Sequence, residues 1–157
     1  MSDKDQFPWR TQANVHKLKW IDDFATGTKA LDLGAGPGFY SQHLNSKSFS
    51  VTALDANPRN LGDGINYQQA NLEVALPVAS SEFDLVLAWD IIEHVKQDQT
   101  LIENIFQALR PGGRLLLSVP HRDDSRIENT YLTYCHYKDK THVREYLPDD
   151  FKQWEDG

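Results

Sequence analysis

The sequence predicts an α/β domain built on a mainly parallel sheet of about five strands, with helices packed on both faces. Three observations carry this. Short strand-like runs alternate with segments of helical spacing along the chain. The run Glu82-Phe-Asp-Leu-Val-Leu-Ala88 is nearly continuous in apolar residues, as a parallel strand covered on both faces must be. Lys29–Leu33 leads directly into a turn with glycine at positions 34, 36 and 38, and ligands of such sheets bind beyond the carboxyl ends of the strands.

Residues 1–14 are polar and read as an arm, with Phe7 and Trp9 as docking points. The domain proper is expected over 15–157. Val15, Leu18, Ile21 and Phe24 fall at helical spacing, and Thr26-Gly27 ends that helix. Lys29–Leu33 is the first strand, and Phe39–Asn45 the helix after the glycines. Phe49–Leu54 alternates and carries β-branched residues, so it reads as a second strand closed by Asp55 and broken by Asn57-Pro58. Ile65–Gln69 is a short third strand and Glu82–Ala88 the fourth. Leu101, Ile102, Ile105, Phe106 and Leu109 share one face of a helix from Thr100 to Leu109. Arg110-Pro-Gly-Gly113 stops it, and Arg114–Val119 is the fifth strand.

Composition narrows the function classes. The chain has 157 residues and a net charge of −7, from 16 basic and 23 acidic side chains. No Lys/Arg cluster of the kind that replaces phosphate counterions is visible, which makes nucleic acid an unlikely partner. No apolar run approaches the roughly 20 residues of a membrane span. The first residues lack the apolar core of a signal peptide. Cys135 is the single cysteine, so no internal disulfide forms and a reducing cytoplasm is the expected location.

The chemistry concentrates at strand ends. Glycines let backbone approach a ligand where a Cβ would collide, and the helix start behind them offers unpaired N–H groups. Asp55 ends the strand after the glycine turn, near the spacing of about 20 residues expected for a ribose-binding carboxylate. Such a carboxylate accepts from two vicinal hydroxyls together. Asn71 and Asp90 fall at the ends of the third and fourth strands, so the polar candidates converge on one edge of the sheet.

The dinucleotide fingerprint is G-x-G-x-x-G. This chain instead has Asp32-Leu-Gly34-Ala-Gly36-Pro-Gly38, which resembles motif I of class I S-adenosylmethionine-dependent methyltransferases. Asp55, Tyr67-Gln-Gln-Ala-Asn71-Leu-Glu, Phe83-Asp-Leu-Val, Asp90-Ile-Ile-Glu93-His94-Val and Leu109-Arg-Pro-Gly-Gly-Arg-Leu resemble that family's later motifs, in order, over most of the chain. The resemblance implies a Rossmann-like doubly wound sheet of order 3-2-1-4-5. It also implies an enzyme using S-adenosyl-L-methionine on an O, N or C atom of a small molecule. Gly34, Ala35, Gly36 and Gly38 would shape the turn around the methionine portion, with Asp32 near its ammonium. Asp55 would hold the ribose, Asn71 the adenine amino group, and Ala56 and Leu72 the adenine faces. Asp90 would complete the cofactor site at the fourth strand's end.

For a hydroxyl acceptor of high pKa a base is needed. His121, after the fifth strand, is the first candidate, then His142 and His94. Asp90, Glu93 and His94 share one face if their turn is helical. With His142 they resemble the metal site of small-RNA terminal 2′-O-methyltransferases, and the ubiquinone-pathway O-methyltransferases carry a related Glu-x-x-Glu-His turn. The primary expectation has no metal; the alternatives are a metal-assisted RNA 2′-O-methyltransferase and a binding module without transfer activity. Tyr131, Tyr134, His136 and Tyr137 form a candidate substrate wall. Acceptor choice is expected in the arm before Thr26 and between His121 and Glu145, where the family has no fixed pattern. Pro148–Trp154 reads as a helix start. The family's last two strands are expected to be absent, leaving the fifth strand's edge to a second copy or a partner.

Overall fold

The computed structural model describes residues 12–120 and 141–154. Its elements are α1 (Val15–Phe24), β1 (Lys29–Leu33), α2 (Phe39–Ser46), β2 (Ser50–Asp55), β3 (Ile65–Gln69), β4 (Phe83–Trp89), α3 (Asp98–Ala108) and β5 (Leu109–Ser118). Short 3₁₀ turns lie at Ile92–His94 and Pro148–Trp154. The strands form one sheet of order β3-β2-β1-β4-β5, with every pair parallel. This is the doubly wound architecture and strand order expected above. No helix among the described residues is long and apolar enough to cross a membrane.

Strand alternation divides the core in two. Leu31 and Leu33 of β1, with Val86 and Ala88 of β4, face α3 through Leu101, Ile102 and Ile105. Ala30, Leu85, Leu87 and Trp89 face the other way, toward Ile21 of α1 and Leu44 of α2. All seven residues of β4 are buried, which explains its unbroken apolar sequence. The edge strand β3 is half-covered and keeps polar residues.

α1 starts where Asn14 accepts from the backbone N–H of His16 at 2.9 Å, an N-cap of the usual kind. Its buried face is narrower than the expected stripe. Val15 and Phe24 are exposed, and Ile21 is the one fully buried residue. Lys17 and Leu18 are half-buried; Lys17 pairs with Asp90, and Trp20, itself 50% exposed, meets Trp89 edge-on at 6.4 Å.

β5 begins earlier than expected. Leu109 pairs with Phe83 and Arg114 with Leu85, so Arg110–Gly113 bulges from a strand already under way. Gly112, at φ 78°, permits that detour. Ahead of the second 3₁₀ turn, Leu147 N–H donates to Asp150 Oδ2 at 2.7 Å. The turn brings Phe151 and Trp154 onto Tyr146 at the threefold spacing of a 3₁₀ helix. Tyr146 Oη donates to Asp98 Oδ2 at 2.9 Å and Trp154 Nε1 to Gln99 Oε1 at 3.0 Å, which anchors the segment to α3. Phe7, Trp9, His121 and the Tyr131–Tyr137 stretch lie outside the described residues.

Candidate functional site

The carboxyl ends of β1, β2 and β4 meet at the glycine turn. The N–H groups of Gly34 and Ala35 donate to Leu54 O at 2.8 and 3.1 Å, folding the turn across the end of β2. All three glycines have positive φ, at 66°, 54° and 80°. Their surroundings differ. A Cβ on Gly34 would lie 2.4 Å from Ile91 Cδ1, and one on Gly38 would lie 2.7 Å from Leu61 Cδ2. On Gly36 it would meet only Gly34 O, at 3.8 Å. At positions 34 and 38 a Cβ would crowd a neighbouring side chain, on top of the positive φ that already favours glycine. Of the three, only position 36 leaves its Cβ position uncrowded.

Two carboxylates flank the turn. Asp55, 7% exposed, accepts from Gly36 N at 2.8 Å through Oδ2 and from Asn57 N at 2.8 Å through Oδ1. A carboxylate has about four acceptor positions, so capacity remains for a ligand's hydroxyls. Asp32 is 1% exposed and accepts from Ser41 Oγ at 2.6 Å. Burial pushes its carboxyl up to about 7, against the lowering effect of the Ser41 hydrogen bonds and with a further rise from the charge of Asp55. No cation partner of Asp32 is found among the described residues, so the turn holds an acid poised to lose its proton near neutrality.

Ala56 is exposed beside Asp55, and its carbonyl accepts from Gln69 Nε2 at 2.9 Å. Tyr67 Oη donates to Asp55 O at 3.2 Å and also reaches Asn57 O. Tyr67 and Gln69 were not singled out in the sequence. Their signal was legible, since alternate residues of a strand point to one side and both follow the loop they brace. Ser41 gave no such signal. Asn71 closes a local turn by accepting from Glu73 N at 3.0 Å, and Leu72 beside it is buried in the α3-side core. Glu73 accepts from Lys96 N at 3.0 Å, tying the loop after β3 to the loop after β4.

The turn after β4 departs from expectation. Asp90, Glu93 and His94 do not form one polar face. The turn is 3₁₀ and confined to Ile92–His94, while Asp90 stands before it at φ 51°. Asp90 accepts from Ser118 Oγ at 2.7 Å and pairs with Lys17. Glu93 is fully buried instead. The 141–154 segment then supplies the group that Asp90 does not join. Ligand atoms of Glu93, His94 and His142 lie within 4.8 Å of one another, and the two imidazoles stack edge-on at 4.7 Å. Thr141 Oγ1 lies 2.9 Å from His94 Nδ1, and Val143 N donates to Glu93 O at 2.8 Å. Of the three histidines proposed as bases, the structure brings together His94 and His142; His121 is outside the described residues.

A family model described as a methyltransferase domain matches residues 9–156. The ubiquinone biosynthesis O-methyltransferase of Pseudomonas aeruginosa strain LESB58 is 29% identical over 122 residues, covering 70% of this chain and 53% of that protein. Its counterpart in Aromatoleum aromaticum is 28% identical over 124 residues, covering 71% and 53%. The chain thus spans about half the length of these curated relatives. Among solved structures, a SAM-dependent methyltransferase from Archaeoglobus fulgidus superposes with a TM-score of 0.76 at 17% identity, covering 96% of this chain and 69% of that one. That likeness is one of fold. An S-adenosylmethionine-dependent methyltransferase from Mesorhizobium loti gives a TM-score of 0.57 at 27% identity, covering 68% and 53%.

Proposed function

The chain belongs to the methyltransferase domain family, and from that premise we propose that it binds S-adenosyl-L-methionine and transfers its methyl group to a small-molecule acceptor. The carrying observation is the open space over Gly36 beside the Asp55 carboxylate, a cradle that a Cβ would begin to fill. The names of the curated relatives favour oxygen as the acceptor atom. When bound, the cofactor supplies an electrophilic sulfonium methyl, and its sulfur keeps the electron pair of the broken bond.

The chain's own residues bind, orient and exclude water. Asp55 takes the ribose hydroxyls, the Asn71 amide the adenine amino group, and Ala56 and Leu72 the adenine faces. Asp32 and the backbone from Gly34 to Gly38 serve the methionine end. A pre-positioned pair of reactants accounts for much of such a reaction's acceleration. For a hydroxyl acceptor, His142 or His94 takes the departing proton. Calorimetry of the intact chain with S-adenosylmethionine and its demethylated product is expected to give one site per chain. Absence of binding to both overturns the reading, and binding without transfer to any acceptor leaves a cofactor-binding module.

A second reading has its own observation in the Glu93–His94–His142 group. One carboxylate and two imidazoles form a donor set for a first-row divalent cation, which would lower the pKa of an acceptor hydroxyl. Under this reading EDTA lowers transfer about tenfold or more, Mn²⁺ restores it, and elemental analysis finds one ion per chain. Indifference to chelator together with a metal-free chain discards it, and leaves the imidazoles as bases.

A further inference from the structure

We propose that Glu73 is a positioning residue that links filling of the loop after β3 to the seating of the 141–154 segment, and through it of His142. Loop and segment meet at a single peptide plane. The Gln97 N–H donates to Glu73 Oε2 at 3.3 Å, and the Lys96 carbonyl of the same peptide accepts from Arg144 Nη2 at 2.9 Å. A trans peptide is planar, with its N–H and C=O on opposite edges, so the two side chains grip it from opposite sides. Glu73 also accepts from Lys96 N, at 3.0 Å through Oε1 and 3.2 Å through Oε2. Hydrogen bonds to ionised groups are the stronger kind. The plane stands at the start of α3, where Gln97 supplies no side-chain cap of its own. The helix is capped instead from 24 residues away, by a carboxylate of the sign its N-terminus favours.

Each side of the plane leads to a different part of the proposed site. On one side, Glu73 N donates to Asn71 Oδ1 at 3.0 Å, and Leu72 between them is buried. Asn71 and Leu72 are the residues assigned to the adenine above. Asn104 Nδ2, further along α3, donates to Val74 O at 3.3 Å, so the helix holds the loop at a second point. On the other side, Arg144 also pairs with Asp98. Tyr146 Oη donates to Asp98 Oδ2 at 2.9 Å and Trp154 Nε1 to Gln99 Oε1 at 3.0 Å. His142 directly precedes Val143, whose N–H donates to Glu93 O at 2.8 Å. A shift of the loop that turns the plane weakens the grip on the segment carrying His142, and the converse holds with the same coupling. A nucleoside seated on Asn71 and Leu72 fixes one side of the plane and so favours the docked segment. Donor binding thereby prepares the base for the acceptor.

Hydrogen exchange of the intact chain, followed in peptides spanning 71–76 and 141–154, tests the link with and without ligand. Without ligand, Glu73→Ala is expected to speed exchange in 141–154 about tenfold, and Arg144→Met to speed it in 71–76 to a similar degree. β1 and β4 should keep the parent's rates in both variants. Glu73→Gln retains one acceptor oxygen and should restore part of the protection. With saturating 5′-methylthioadenosine, the parent should gain about a further tenfold of protection in 141–154, and Glu73→Ala less than about threefold. That probe carries the nucleoside without an amino-acid end, so no direct contact of such an end with His142 contributes. Unchanged exchange in the segment on loss of Glu73 overturns the proposal. So does a rise shared equally by β1 and β4, which marks a loss of overall stability, and so does ligand protection that survives Glu73→Ala. The ligand-dependent arm rests on the function proposed above. A chain that binds no nucleoside counts against that function, while the reciprocal effects of the two ligand-free variants still decide the link.

Discussion

Asp55→Ala is expected to weaken S-adenosylhomocysteine binding by roughly a hundredfold or more, with the fold retained. Two hydrogen bonds from ribose hydroxyls to a carboxylate are worth roughly 1.5–3 kcal/mol each, and every 1.4 kcal/mol is about tenfold in affinity. The substitution acts twice, because the same carboxylate accepts from Gly36 N and Asn57 N. Losing it slackens the turn that forms the cradle as well as the contact to the ligand. Asp55→Asn keeps one acceptor oxygen and should fall between the two. Calorimetry gives the affinities, and circular dichroism checks that the sheet is intact. Unchanged affinity in the alanine variant would remove the ribose role.

Asp32→Asn should separate stability from binding. The Asp32 carboxyl is raised to about 7 chiefly by burial, far above its value in an unfolded chain. Between pH 4 and 7 the native state therefore binds more protons than the unfolded state, and stability falls as pH rises through that window. Above pH 7 the buried charge is carried in full, at a cost of roughly 2–4 kcal/mol. Asparagine carries no charge and still accepts from Ser41, so the variant should be the more stable protein at pH 8 and nearly equal to the parent at pH 5. Binding runs the other way. A ligand ammonium favours the ionised carboxylate, so the parent's affinity should rise up to about pH 7 and then level off. The variant's should be weaker and flat across that range. Thermal unfolding and calorimetry at pH 5.5 and 8 read both effects. The same pH profile in both proteins would sink the assignment.

The fold was legible because its information is local. Continuous apolar residues mark β4, alternation marks β2, and three glycines mark the end of β1, each within ten residues or fewer. The site was legible only where its parts sit on strand ends. Glu93, His94 and His142 meet because the 141–154 segment docks on α3 through Tyr146 and Trp154, and no periodicity encodes that return. Asp90 was misplaced for a related reason. Its spacing to Glu93 and His94 suits an α-helical turn, yet Lys17, 73 residues away in sequence, and Ser118 hold it elsewhere. Ser41 likewise reaches Asp32 by folding back from α2, so the proton chemistry of the turn could not be read from its motif.

The unequal surroundings of the three glycines bear on how this turn can change over generations. Residues 34 and 38 are confined by neighbours inside the protein, Ile91 and Leu61, so a side chain there needs those neighbours to shift as well as an unfavourable backbone angle. Position 36 answers to nothing but its backbone angle and whatever lies above it. A descendant that lost its ligand could drift there, toward asparagine or aspartate for instance, which tolerate positive φ. Of the three, Gly36 alone is held by its backbone angle without a crowding neighbour, so a substitution there probes the cradle with the least disturbance of the packing around it.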